Sequence, residues 1–564
     1  MNAIDWFDDQ SDEEVYGGDT DEEDNDVCES SDHDSESEQE AEEDEIDVSN
    51  NTQILWGKDK KTMWNTACRK KSKTKKHNIF VKKPGPIDDA KNANSISDCF
   101  KIFITDSLIE IITECTNVYI EQIKKNYSRE RDAKSTDTNE MKALLGLLYF
   151  IGLFKSGRQN IKDLWKTDGT GVDIIYCTMS YNRFGFLLRC IRFDNINDRK
   201  ERKKIDKLAP IRNIFNIFVE NCRKAIVPGP HLTIDEQLVA FRGRCPFRQY
   251  IPSKPARYGL KVFALVDSET MYTVNLEIYP GTQPDGPYKL SNSALDVVKR
   301  LAEVVKGTWR NITIDNWFTS VPLALELKKE FQLTMLGTIR KNKREIPPEL
   351  ITIKGREEKS SKFAFNRDCT LVSYMPKKKK IVLVLSTTHD DDRIDDDTKK
   401  PMMVIDYNNT KYGVDVVDQL CGSYDVARNC RRWPLTIFYN IMNIGSINSM
   451  VLYHLNNKEQ KIKRRDFIRT LAIGLMKPEM ERRYRTESLP KQIRTKIGFI
   501  LDLPSDQISS KNVHKTGTGR CYICPRKEDK KTRNICVLCG KWVCKEHQEA
   551  MIKCMNCKND DNDE

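Results

Sequence analysis

From His231 to Ile339 the chain runs through one order of elements: strand, hairpin, helix, strand, helix, strand. The first strand ends on Leu232-Thr-Ile-Asp235. Residues 261–267 and 271–279 are strand-like runs about the turn Ser268, Glu269, Thr270. Residues 293–306 put Leu295, Val298, Leu301, Ala302 and Val305 on one helix face. A strand from Asn311 to Asp315 follows, then a helix from about Pro322 to Phe331 with proline in its first turn, then a strand from Leu333 to Ile339. Two of these strands end on an aspartate, and a stiff strand end is a good place to hold a carboxylate.

That order is the order of an RNase H-like core, in which the first and fourth strands are neighbours. Asp235 and Asp315 would then lie side by side although 80 residues apart. A third carboxylate comes from a helix beginning near Gly413: Asp415 and Asp418 are three residues apart on one face, with Val414 and Val417 turned to the apolar side. Carboxylates suit hard ions such as magnesium. Two such ions about 4 Å apart can clamp the attacking and leaving oxygens of a phosphodiester. None of the seven histidines falls in these motifs, which fits a metal rather than a histidine base. Asp418 has a plainer reading as a cap or salt-bridge partner. Six aspartates in the eight residues Asp390 to Asp397 lack an apolar frame and read as a solvated loop.

Charge is segregated. Residues 1–50 hold 23 Asp or Glu and no Lys or Arg, so the remainder carries 93 basic against 61 acidic residues, a net of +32. Such a body is suited to nucleic acid. The acidic tract is expected to be disordered, with Ser31 and Ser35 in acidophilic-kinase contexts. Residues 58–83 are basic, centred on Arg69 to Lys76, and read as a nuclear-import or DNA-contacting arm that the acidic tract would shield. Arg242, Arg244, Arg248, Lys254, Arg257 and Lys261, interleaved with Phe241, Phe247, Tyr250 and Tyr258, suit a groove that follows a DNA backbone. Arg340, Lys343 and Arg344 would hold phosphates. Trp317 and Trp433 would either stack on an unpaired base or sit in the core.

The tail holds Cys521, Cys524, Cys536, Cys539, Cys544, His547, Cys554 and Cys557: eight ligands in four pairs, enough for two closed zinc sites. A cross-brace would put Cys521, Cys524, Cys544 and His547 on one zinc and Cys536, Cys539, Cys554 and Cys557 on the other; sequential pairing is the alternative. Ubiquitin ligation, histone-tail reading and DNA binding, the last helped by Arg520, Arg526, Lys527, Lys530, Lys531 and Arg533, all use such modules. Paired spacing here and scattered cysteines elsewhere predict a reducing, intracellular setting. No secretory leader is expected, since the N-terminus is acidic, and no membrane span.

The stretches 232–262 (LTIDEQLVAFRGRCPFRQYIPSKPARYGLKV), 311–325 (NITIDNWFTSVPLAL), 337–348 (GTIRKNKREIPP), 406–421 (DYNNTKYGVDVVDQLC) and 432–435 (RWPL) resemble the piggyBac transposases. The resemblance implies an RNase H-like catalytic domain with Asp235, Asp315 and Asp415 as its triad and Asp418 as an accessory. Asp235 and Asp315 would bind both of two magnesium ions, and Asp415 would complete one shell. It implies a homodimer acting on double-stranded DNA in the nucleus, cutting transposon ends through hairpins and inserting at TTAA. A domesticated derivative that binds DNA or chromatin without cutting is the alternative. The expected organisation is a multidomain α+β chain. Residues 1–95 are disordered, and 96–230 are the first part of a helical dimerisation and DNA-binding domain. The catalytic core occupies 231–340 and 402–428, split by a β-rich insertion at 341–401. The second helical part covers 429–505, a linker 506–520, and the cross-brace zinc domain 521–557.

Overall fold

The computed structural model describes residues 28–30, 39–40, 54–68, 82–156, 159–252, 254, 256–503, 517–536 and 541–548. It divides into two units, 1–482 and 483–564.

The first unit is mixed α/β. Short strands come first: β1 (Cys28–Ser30), β2 (Gln39–Glu40), β3 (Ile54–Trp56), β4 (Met63–Asn65) and β5 (Gly85–Pro86). Eight helices follow: α1 (Ile96–Phe103), α2 (Asp106–Ile123), α3 (Thr138–Leu153), α4 (Ile161–Leu164), α5 (Asp173–Thr178), α6 (Tyr181–Cys190), α7 (Arg199–Lys203) and α8 (Arg212–Ala225). Side chains cap the first turns where the sequence supplies them: Ser95, Thr105, Asp137 and Ser180 each accept a backbone N–H.

Then come β6 (Ile226–Val227), β7 (His231–Ala240), β8 (Arg248–Tyr250), β9 (Tyr258–Asp267), β10 (Thr273–Ile278), α9 (Ala294–Ala302), β11 (Asn311–Ile314), α10 (Val321–Lys329) and β12 (Thr334–Thr338). β6 pairs only with β5, forming a separate two-stranded sheet. Within the large sheet the spatial order is β10, β9, β7, β11, β12. β7 lies antiparallel to β9 and parallel to β11, and β11 lies parallel to β12. The register pairs Ile234 with Ile314, so the aspartates that follow stand at the same level, Asp315 just past the end of β11 and Asp235 within β7, which runs on to Ala240 instead of ending at Asp235 as expected.

After the short α11 (Pro348–Ile351), β13 (Ser361–Phe365), β14 (Thr370–Lys377) and β15 (Lys380–Ser386) form an antiparallel meander. β15 pairs with β12, so this segment extends the central sheet instead of building a separate one. An unpaired β12 edge would leave its backbone polar groups unsatisfied. Residues 402–410, read from sequence only as the return to the core, form α12 (Met402–Thr410); α13 (Gly413–Ser423) follows. Met403, Val404 and Tyr407 of α12 pack with Leu336, Val372, Tyr374, Val382 and Val384 over the junction of core and meander.

The last helices are α14 (Trp433–Asn456), α15 (Arg464–Tyr484) and, in the second unit, α16 (Lys491–Ile500). α14 opens the second helical part and is not amphipathic: it is buried on nearly all sides. It is long and apolar enough to cross a membrane, but 89% of its most apolar window is buried inside the protein. Its Asn448 is satisfied in place: the side chain accepts from Thr273 N and donates to Thr273 O, each at 2.9 Å, beside a bulge in β10.

For the described residues of 1–95, the reading as disordered is also corrected. β3 and β4 form a hairpin whose Trp64, fully buried, donates to the Glu345 carbonyl, and β4 continues the sheet beyond β13. Two pieces of the acidic tract join the same sheet, β1 beside β8 and β2 beside β15. Ser31, Ser35 and the centre of the basic arm lie outside the described residues.

Candidate active site

Each aspartate of the sequence reading is held by its own element. Asp235 is in β7, and its Oδ1 accepts from Glu236 N at 2.7 Å. Asp315 immediately follows β11; its Oδ1 accepts from Trp317 N at 3.0 Å and from Phe318 N at 3.4 Å, fixing the turn into α10. Two residues before each aspartate stands a threonine, Thr233 and Thr313, paired in register. Both tie to the end of α12: Thr233 Oγ1 donates to Thr410 O at 2.5 Å, and Thr313 Oγ1 meets Thr410 Oγ1 at 2.8 Å. One residue thus pins both strands and launches α13 over them.

α13 presents Asp415 and Asp418. Asp415 is exposed. Asp418 Oδ1 accepts from Gln237 Nε2 at 2.9 Å, and the Gln237 Oε1 accepts from Asn440 of α14 at 3.0 Å. This chain from α14 through β7 to α13 fixes the helix rotation, and it gives Asp418 a neutral amide partner, which is neither a cap nor a salt bridge. Gln237 and Asn440 were not found from sequence. Their only signal was a polar residue inside an otherwise apolar run.

The acidic charges interact. Asp235 is held well above the usual carboxylate range, by burial first and then by Asp315, Asp415 and Glu236. Burial pushes Asp315 up to about 7, against the pull of the two backbone N–H groups. Burial also raises Asp418. Like charges gathered where water is scarce are costly, and a bound dication removes that cost. An all-oxygen donor set of this kind fits a hard divalent ion.

The basic residues divide. Arg242, Arg244, Arg257 and Arg344 are exposed, and Lys343 is half-buried. Arg248 turns inward to donate to Gly243 O at 2.7 Å. Arg340 Nε donates to Asn316 Oδ1 at 2.9 Å, beside Asp315. Lys254 points into the acidic cluster, with Nζ 3.6 Å from Asp415 Oδ1 and 3.3 Å from the Glu236 carbonyl.

Lys261 is corrected as a DNA-surface residue, and of its two readings Trp433 takes the core. Lys261 is buried, 3.1 Å from Glu236 and within 5.6 Å of the ring centres of Phe263, Tyr279 and Trp317. Trp433 is 1% exposed and packs edge-on against Phe247, so it is a core residue with no face for a base. Phe241 and Phe247 are likewise core. Tyr250 and Tyr258 remain accessible as a ring pair at 4.8 Å.

In the second unit, β16 (Gly519–Arg520) and β17 (Lys531–Thr532) pair, and Cys521, Cys524, Cys544 and His547 bring their ligand atoms within 4.8 Å of one another. Cys524 and Cys544 sulfurs are 3.7 Å apart, and His547 Nδ1 lies 3.3 Å from Cys544, 3.5 Å from Cys524 and 3.8 Å from Cys521. Tetrahedral Zn–S bonds of about 2.3 Å place sulfurs roughly 3.8 Å apart, so the spacing is compatible with a closed zinc site. The first and third ligand pairs meet, as a cross-brace requires. Of the other four, only Cys536 is described; Cys539, Cys554 and Cys557 lie outside the described residues.

The family model for Transposase IS4 matches residues 95–450, which takes in β6 to β15 and all three aspartate elements. A piggyBac transposase seen by cryo-electron microscopy in a synaptic complex with hairpin DNA superposes with a TM-score of 0.74 at 37% identity, over 84% of this chain and 100% of that one. The chain belongs to the piggyBac transposase family. Human relatives are more distant: piggyBac transposable element-derived protein 3 is 23% identical over 252 residues, 44% of this chain and 40% of that protein. PiggyBac transposable element-derived protein 5 is 22% identical over 233 residues, 41% of this chain and 43% of that protein. The match therefore spans about two fifths of each human relative. The family assignment makes DNA the partner class and divalent-metal phosphoryl transfer the chemistry to weigh.

Proposed function

We propose that this chain is a cut-and-paste DNA transposase whose reaction centre is formed by Asp235, Asp315 and Asp415. The observation that carries the reading is the parallel register of β7 and β11, which sets Asp235 and Asp315 level on neighbouring strands, with Asp415 delivered over them by α13. The strand order β10, β9, β7, β11, β12 supports an RNase H-like core.

Asp235 and Asp315 would hold two magnesium ions jointly, and Asp415 would complete one shell. Bound there, the ions lower the pKa of the attacking hydroxyl and stabilise the leaving 3′-oxygen. The protein's part is positional. Thr410 locks the two strands, Trp317 and Phe318 amides aim the Asp315 carboxylate, and Gln237 fixes α13 through Asp418. Exposed Arg242, Arg244, Arg257 and Arg344 supply phosphate contacts, with water first and then the freed 3′-hydroxyl as nucleophile. The enzyme would act in the nucleus as a homodimer on double-stranded DNA ends, through hairpins, and insert at TTAA. Cys521, Cys524, Cys544 and His547 would hold one zinc, Cys536, Cys539, Cys554 and Cys557 a second, and this module would grip the DNA end.

The test is strand cleavage on DNA carrying the element's end next to TTAA, with magnesium, beside Asp315→Asn. Nicks and hairpins from the wild type, reduced at least about a thousandfold in the variant, are expected. Binding without cleavage by the wild type would instead identify a domesticated DNA-binding derivative. Equal cleavage by both proteins would move the site elsewhere.

A further inference from the structure

Lys254 stands out among the basic residues that follow Asp235. It lies in the connection between β8 and β9, and its side chain is 15% exposed. Its ammonium is within 3.6 Å of an Asp415 oxygen and 3.3 Å of the Glu236 carbonyl, and it interacts electrostatically with Asp235, Asp415, Glu236 and Asp418. The other cations nearby are committed. Lys261 is buried against Glu236 and three aromatic rings, and Arg340 is hydrogen-bonded to Asn316. Among the described residues, Lys254 is therefore the cation that faces the centre of the carboxylate cluster.

We propose that Lys254 is a built-in counter-ion of the cluster, and that a divalent cation enters by displacing its ammonium. This rests on the reading of the three aspartates as a metal site. Four carboxylates gathered without a cation would repel one another and splay α13 from β7. One ammonium offsets part of that repulsion and keeps the site assembled. An ammonium carries three donors and no acceptor, so it can neutralise carboxylates but cannot share them with a dication, whose ligands must face it with lone pairs. Lysine suits an occupant that must leave: its charge is a point on a flexible four-carbon stem, unlike the fork of arginine. Metal entry and Lys254 exit are then one event, and the cluster is never without a counter-charge.

Manganese binding to the DNA-free, zinc-loaded full chain tests this, read by the electron paramagnetic resonance of free Mn2+ and by melting temperature. Wild type, Lys254→Met, Lys254→Gln, Lys254→Arg and Asp315→Asn are compared. Removing the charge should tighten Mn2+ binding about tenfold or more, by the Coulomb repulsion removed. It should also lower the metal-free melting temperature and enlarge the rise that Mn2+ produces. Lys254→Arg should restore weaker binding, and Asp315→Asn should weaken it in any background. The Gln variant keeps the test available if Met impairs folding. Mn2+ binding in the Met and Gln variants equal to or weaker than wild type would overturn the proposal while leaving the metal site standing. If no form shows an Asp315-dependent Mn2+ site, the metal-site reading falls and this proposal with it.

Discussion

Lys261 shows how one residue's role depends on its register in a strand. In sequence it closes a basic run and reads as a backbone contact. In β9 it is an inward position, opposite Leu238 on β7 and close to Glu236. The Glu236 side chain is 0% exposed and that of Lys261 5%, so neither charge has water to fall back on. Burial still pushes Glu236 up despite the lysine. Lys261→Met strands the carboxylate, and stability should fall by about 3 kcal/mol near pH 8. The loss should shrink toward pH 6, because protonating Glu236 discharges it. Urea unfolding of Lys261→Met and of the double variant with Glu236→Gln checks this. The double variant should recover most of the loss and lose its pH dependence.

At the scale of elements, Gly413 decides where α13 sits. A Cβ there would lie 2.8 Å from Thr233 Oγ1 and 3.2 Å from Thr233 Cβ, and Thr233 is already locked to Thr410. Gly413→Val should cost about 2 kcal/mol by overpacking and push α13 off β7. Asp415 would move with it, so strand cleavage should drop by about a hundredfold while end binding changes little; gel-shift and cleavage assays on one preparation separate the two. The elements around this contact were largely legible. β7, β9, β11, β12 and α10 follow from apolar runs, a hairpin turn and a proline at a helix start, because periodicity and turn chemistry are local. The link from β15 to β12 was not legible, since strand pairing depends on which edge needs covering. The burial of Trp433 was only one of two readings: Arg431 and Arg432 precede it, Pro434 and Leu435 follow, and its neighbour in space is Phe247, 186 positions earlier. Asp235, Asp315 and Asp415 could be picked out by context, whereas Lys254 could not be told from the arginines beside it.

For the whole molecule, the site sets a pH dependence of stability. Asp235, Asp315, Glu236 and Asp418 all have carboxyls raised by the fold, with burial the largest cause. A raised carboxyl binds its proton more tightly folded than unfolded. Between the ordinary carboxylate range near 4 and the raised values, stability therefore falls as pH rises. For Asp315 the window closes at about 7. Other groups act elsewhere: Glu479 is raised to about 7 by burial in the helical region, while Asp206, paired with Arg212, is lowered despite its burial and contributes the opposite slope. Comparison with Asp315→Asn isolates the site from these. The metal-free wild type should lose several degrees of melting temperature, relative to the variant, between pH 5 and pH 8. Magnesium at pH 8 should return that loss to the wild type and give the variant little. A wild type and variant that track each other across this range, with and without magnesium, would mean that Asp315 is not strained by its neighbours. The fold would then hold its carboxylates without the tension that makes a divalent ion part of its stability.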